Sequence, residues 1–195
     1  MILEIEVMKD KLNKKILEVF SNCDQELVNR LQLLESTLSD SELKYVESTL
    51  EISLPNDFYQ MVLKYEFGGL IIGSLTFGYP QKYSQTLIDD NDEDLDYPWW
   101  GTNNKRPMNF LRVAGTDGWV VLLDTNTGKL YAFLRTSIWE RHEFIAPDFN
   151  LFVCAMGTIY LATQSAEIVN RTALYQDLDI EGNSQFWQEV CEGYA

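Results

Sequence analysis

Residues 54–69, Leu-Pro-Asn-Asp-Phe-Tyr-Gln-Met-Val-Leu-Lys-Tyr-Glu-Phe-Gly-Gly, leave the chain few ways to fold. Pro55 suits the first turn of a helix, where its missing N–H costs nothing and its fixed φ already fits. Phe58, Met61, Val62 and Tyr65 then recur at three- and four-residue spacing, which draws one apolar stripe along a short amphipathic helix. Gly68 and Gly69 stop the stripe, because glycine readily takes the left-handed conformation that ends helices. The apolar run 70–77 follows at once, so a helix must turn directly into a strand. None of these side chains forms a catalytic pattern.

The flanking segments extend this reading. Helical spacing runs through Ile5, Met8, Leu12, Ile16 and Val19, then through Leu27, Leu31 and Leu34, with a break near residues 21–24. Ser39 and Glu42 have the spacing of a capping box, which predicts a helix holding Leu43, Val46 and Leu50 against the core. Beyond residue 70 the period shortens: strands are expected at 70–77, 83–88 and 109–114. Residues 119–123 and 130–134 flank the polar loop Asp124-Thr125-Asn126-Thr127-Gly128 and predict a hairpin. A buried helix is expected from Asp148, with two more over 165–178 and 184–191. The fold class that results is α+β, a mainly antiparallel sheet of four to six strands with helices packed on it.

Charge limits the partners. The chain of 195 residues carries 30 acidic and 15 basic side chains, a formal charge of −15 at pH 7. Such an excess repels nucleic acid and anionic membranes and steers basic partners inward. No window approaches the apolar length of a membrane span, and residues 1–15 alternate charged and apolar side chains unlike a signal peptide. Cys23, Cys154 and Cys191 form no close pair, which points to reduced thiols and a cytoplasmic location.

Residues 89–100, Asp-Asp-Asn-Asp-Glu-Asp-Leu-Asp-Tyr-Pro-Trp-Trp, are the most individual stretch. Asp89, Asp90, Asp92, Glu93, Asp94 and Asp96 could steer a cationic partner, and Tyr97, Trp99 and Trp100 could anchor it. The bland alternative is a solvated acidic loop whose tryptophans tuck back into the core. Calcium fits poorly, because an EF-hand loop begun at Asp90 would have Leu95 at its turn glycine and Gly101 at its bidentate glutamate. His142 is the only histidine, and Ala146 stands where a zinc-binding His-Glu-x-x-His motif needs its second imidazole. Gly115-Thr116-Asp117-Gly118 lacks the lysine of a phosphate-binding loop and reads as a turn. Neither a catalytic centre nor a cofactor is expected.

The order of these pieces resembles the SUKH superfamily of Smi/Knr-like proteins. The resemblance rests on the short helix before Leu54-Pro55, Phe58, Gly68-Gly69, Val113-Ala114 leading to Trp119, the hairpin with Asp124 and Gly128, and Asp148-Phe149 entering a helix. It covers a core of about residues 36–163, leaving a helical extension over 1–35 and an acidic segment over 164–195 within one domain. What it implies is a non-catalytic α+β binding domain, of the type that serves bacteria as an immunity protein. The expected partner is then a cognate toxin, a basic nucleic-acid-acting enzyme whose active site the protein occludes. On that reading the acidic surface imitates phosphates while Trp99 and Trp100 anchor the contact. An intracellular regulator or scaffold is the alternative, a carboxylate-dependent enzyme is disfavoured, and homo-oligomerisation stays open.

Overall fold

The computed structural model describes residues 1–93, 95–101 and 104–193. Four helices come first: α1 (Ile5–Val19), α2 (Gln25–Leu31), α3 (Asp40–Leu50) and α4 (Asn56–Lys64). Strands β1 (Ile71–Ile72) and β2 (Leu75–Thr76) precede α5 (Tyr83–Asp89). Then come β3 (Phe110–Gly115), β4 (Trp119–Asp124), β5 (Leu130–Leu134), β6 (Glu143–Ala146), α6 (Phe149–Gln164), α7 (Arg171–Asp177) and α8 (Gln185–Glu192). The six strands form one antiparallel sheet in sequential order. The α+β expectation therefore holds, and each strand joins its predecessor without a crossover.

Helix α6 is the central pillar. The Asp148 side chain accepts the Leu151 N–H and caps its start, and most of its circumference is buried, including Phe149, Phe152, Val153, Met156 and Ile159. Helix α1 crosses it at Gly157, where an added Cβ would lie 2.3 Å from the Met8 sulfur. Only a residue without a side chain lets the two helices approach this closely. Rings from five segments, Phe58, Phe67, Phe77, Tyr83 and Phe149, meet at the N-terminal end of α6, with Phe149 4.8 Å from Phe58 and 5.1 Å from Phe67 between centroids. The capping box of α3 forms as the sequence predicts, Ser39 and Glu42 each satisfying the other's first-turn N–H.

The C-terminal helices close the sheet's flank. Glu143 of β6 accepts the N–H groups of Gln185 and Phe186, placing a carboxylate at the positive end of α8. Trp187 is wholly buried and donates its indole N–H to the Ile145 carbonyl, and Trp119 donates to Glu189. Buried residues of α1, the sheet and α8 belong to one continuous cluster.

Three local expectations are corrected. The run 70–77 is two short strands around a turn at Gly73 rather than one strand. Residues 83–88 are helical: Tyr83 and Leu87, four apart, face the core together, and β2 pairs directly with β3, which leaves no place between them for a strand. Helix α4 ends at Lys64, before the two glycines, because Tyr65 goes extended to bridge Glu35. The glycines serve a later turn. Gly69 has φ +74°, and an added Cβ on Gly68 would sit 1.9 Å from the Gln81 carbonyl oxygen. Gly68→Ala should therefore destabilise the fold by roughly 2–4 kcal/mol. Gly118→Ala, with open space around it, should be within about 1 kcal/mol of wild type in the same urea titration. Equal stabilities would remove the close-approach argument.

Candidate functional site

The sheet has two differently covered faces. Along β4, Trp119, Val121 and Leu123 point into the helix-covered core, while Val120 and Leu122 point to the outer face with Phe110 and Phe133. Bulges reset this alternation. At the register shift between Arg112 and Ala114 both Val113 and Ala114 enter the core, and at the shift opposite Leu130 and Tyr131 both Ile145 and Ala146 do. The outer face is roofed by the segment after α5 and by a single 3-10 turn, Trp139–Arg141, so that Trp99 and Trp139 pack on its apolar residues beside Tyr131 of β5.

The acidic and aromatic residues singled out in the sequence lie at this roof in different environments. Asp89 is exposed and accepts from the amides of Gln81 and Gln85 at 2.9 and 2.6 Å. Asp90 is half-buried, with an Oδ1 3.5 Å from an Arg112 Nη. Burial raises its carboxyl above the usual range, against the opposing pull of Arg112 and Arg135. Asp92, Glu93 and Asp96 are exposed, and Asp94 lies outside the described residues. Tyr97 is 91% exposed, Trp99 is half-buried and Trp100 is 3% exposed. Of the two readings the sequence left open, partner anchors or rings tucked inward, Trp100 takes the second. Its indole N–H donates to the Asn104 carbonyl and its ring meets Trp99 edge to face at 5.1 Å, so it supports its neighbour from inside.

Between roof and sheet lies a cleft of about 540 Å³, bounded by Tyr97, Trp99, Phe133, Ile138, Trp139 and Glu140. Arg112 of β3 and Arg135, just past β5, also line it. The Nη2 atoms of Arg135 and Arg112 come within 3.3 and 3.9 Å of one point, that of an added Cβ at Gly115. Burial, then the like charge of Arg112, hold Arg135 below the ordinary guanidinium range. Arg135 Nε donates to the Thr116 carbonyl, whereas the buried Arg112 Nε has no hydrogen-bond partner among the described residues.

Sequence reasoning missed the residue that fixes the roof. Asn91 is 1% exposed and uses its whole amide: Nδ2 donates to the carbonyls of Leu87 and Arg112, while Oδ1 accepts from the Arg112 N–H and the Trp99 indole. A polar asparagine inside an acidic run gives no sign of this role. Arg106, in a polar connecting stretch with no periodicity, was missed as well. It is 5% exposed and donates to the carbonyls of Leu50, at the C-terminal end of α3, and Phe110. His142 stacks on Trp139 and places Nδ1 2.8 Å from the Trp139 carbonyl, an oxygen that can only accept, so that nitrogen carries the proton. Cys154 and Cys191 are pushed up to about 12 and about 11 by burial, which makes them poor nucleophiles. Among the described residues no group of three His, Cys, Asp or Glu could hold a metal, and no helix is long and apolar enough to cross a membrane.

The sequence model of a family described as SMI1-KNR4 cell-wall, a SUKH group, matches residues 40–153. That stretch runs from the start of α3 into α6 and contains the sheet, the roof and the cleft. No curated protein matches the chain.

Asn91→Ala removes four hydrogen bonds and leaves buried carbonyls unpaired, which should cost about 2–4 kcal/mol in chemical denaturation. The Trp99 indole N–H should lose its protected position in hydrogen exchange; retained protection would mean that Asn91 does not hold the roof. At pH 8 a thiol reagent should label exposed Cys23 rapidly, partly buried Cys191 more slowly and buried Cys154 only on unfolding. Labelling of Cys154 in the native protein would contradict its burial.

Proposed function

The chain belongs to the SMI1-KNR4 family of the SUKH superfamily, whose members are non-catalytic protein-interaction domains, and from that membership we propose that it is an immunity protein. Its partner on this reading is a cognate toxin with a basic, nucleic-acid-acting active site, met in the cytoplasm of the producing cell. The observation that carries the proposal is the exposed acidic group Asp89, Asp92, Glu93 and Asp96 beside the protruding Tyr97. Carboxylates in this position favour fast encounter with a cationic surface, and an exposed aromatic beside them can fill a pocket on the partner. Trp99 backs this surface, with Trp100 behind it. The toxin's phosphate-binding groups would be occupied by carboxylates, so that substrate is excluded by charge and by bulk. Residues 1–39 and 154–195, outside the matched stretch, serve on this reading to complete the same domain.

A regulator or scaffold within the same family would use the same surface for a different protein, and the partner's identity separates the two. The test is co-purification of the tagged chain with the product of the adjacent gene at low and high salt. A basic toxin domain should be recovered, and its association rate should fall steeply with ionic strength. Asp89→Asn, Asp92→Asn, Glu93→Gln and Asp96→Asn together should weaken binding by about tenfold or more and flatten that salt dependence. Unchanged affinity and salt dependence would move the contact elsewhere, and recovery of host regulatory proteins alone would replace the immunity reading.

A further inference from the structure

The cleft beneath the roof has a charge opposite to that of the molecule around it. The protein carries −15 overall, yet Arg112 and Arg135 converge over Gly115 at the cleft floor. Asp90 stands 3.5 Å from Arg112, too far for a strong charge-assisted hydrogen bond, and Asp90 and Asp117 act on Arg135 only by longer-range attraction. Arg135 gives Nε to a carbonyl and makes no ion pair among the described residues. Arg112 is partly buried and Arg135 exposed, and two guanidiniums held this close repel each other. The walls are aromatic: Trp99 lies 6.4 Å from Phe133 and 6.3 Å from Trp139, and both tryptophans are half-buried, with part of each ring open.

We propose that this cleft is a binding site for a small organic anion, a single carboxylate or phosphate group carried on a flat ring. The anion takes the guanidinium donors of Arg112 and Arg135, and the ring packs against Trp99 and Trp139. Guanidinium forks match the planar oxygens of a carboxylate or phosphate better than any other side chain does. A ring is needed because an inorganic ion would meet the surrounding negative field without covering any apolar wall. A polyanion is excluded by the same field and by Glu140 at the cleft's edge. The volume of about 540 Å³ lies in the range of small-molecule sites. This proposal does not rest on the toxin reading, which uses the carboxylates outside the cleft, although Tyr97 and Trp99 border both surfaces.

Titration of the full chain with adenosine 5′-monophosphate and with indole-3-acetate, followed through the five tryptophan indole N–H signals, tests it. Adenosine, indole-3-acetamide and inorganic phosphate serve as the uncharged and ringless counterparts. At least one ring anion should bind saturably at roughly 1 mM or below, about tenfold more tightly than its neutral counterpart and than phosphate alone. The Trp99 and Trp139 signals should move while those of Trp119 and Trp187, hydrogen-bonded elsewhere, stay in place. Preference for one probe identifies the anion as phosphate or carboxylate. Arg135→Gln should abolish the preference for the charged probe, and Arg135→Lys should keep part of it. Arg112→Gln gives a second reading where circular dichroism shows it folded. The proposal is overturned by the absence of saturable shifts with both anions, by equal binding of the neutral counterparts, or by wild-type preference in Arg135→Gln.

Discussion

The meeting of rings around Phe149 is the contact on which the rest of this structure depends. Phe58, Phe67, Phe77, Tyr83 and Phe149 are each at most 1% exposed, and they come from α4, two connecting segments, α5 and α6. Large aromatics bury much area with few rotatable bonds, so a cluster of this kind joins separate elements at a modest entropic cost. Tyr83 adds direction to the packing. Its hydroxyl donates to the Val113 carbonyl at 2.7 Å, which fixes α5 against the bulge of β3. Burial pushes its phenol well above the usual range, so this donor keeps its proton.

From that point the outer site follows by short steps. Helix α5 ends at Asp89, and Asn91 immediately ties the emerging chain to Leu87 behind it and to Arg112 in front. The same amide holds Trp99, so a core contact made by Tyr83 is passed outward to the roof of the cleft. The bulge matters here too. By sending Val113 and Ala114 both inward, it leaves Arg112 as the last outward side chain of β3 before Gly115, whose bare backbone gives two guanidiniums room to converge.

Charge is therefore layered rather than uniform. The exterior is acidic, with Asp92, Glu93 and Asp96 in solvent, whereas the cleft floor holds the partly buried Arg112 beside Arg135. Exposed carboxylates act at long range and are screened by salt, and arginines in a cleft act only on what enters it. One small region can thus attract a basic surface and still accept a small anion. Asp90 connects the two layers, raised by burial and lowered by both arginines.

Signals carried by neighbouring residues were legible in the sequence. The capping box of Ser39 and Glu42, the stripe of α4, the buried helix from Asp148 and the hairpin of β4 and β5 all depend on spacings within a few residues, and all formed. The ordered motifs between residues 36 and 163 likewise pointed to the family that matches residues 40–153. Features set by partners far along the chain were not legible. Gly68 and Gly69 follow Pro80 and Gln81 rather than the helix before them, and residues 83–89 are helical because the place beside β2 is taken by β3. For Trp100 the sequence left an anchor and an inward-tucked ring both open, and the fold buries it with its indole bonded to the Asn104 carbonyl. Asn91 and the pairing of Arg112 with Arg135 arise from strand register and a bulge, which no local periodicity encodes. Sequence alone determined the elements whose signals are local, since propensity and amphipathic period act over single turns. Tertiary structure decided which charges meet and which rings stay open, since those depend on chain segments brought together only by folding.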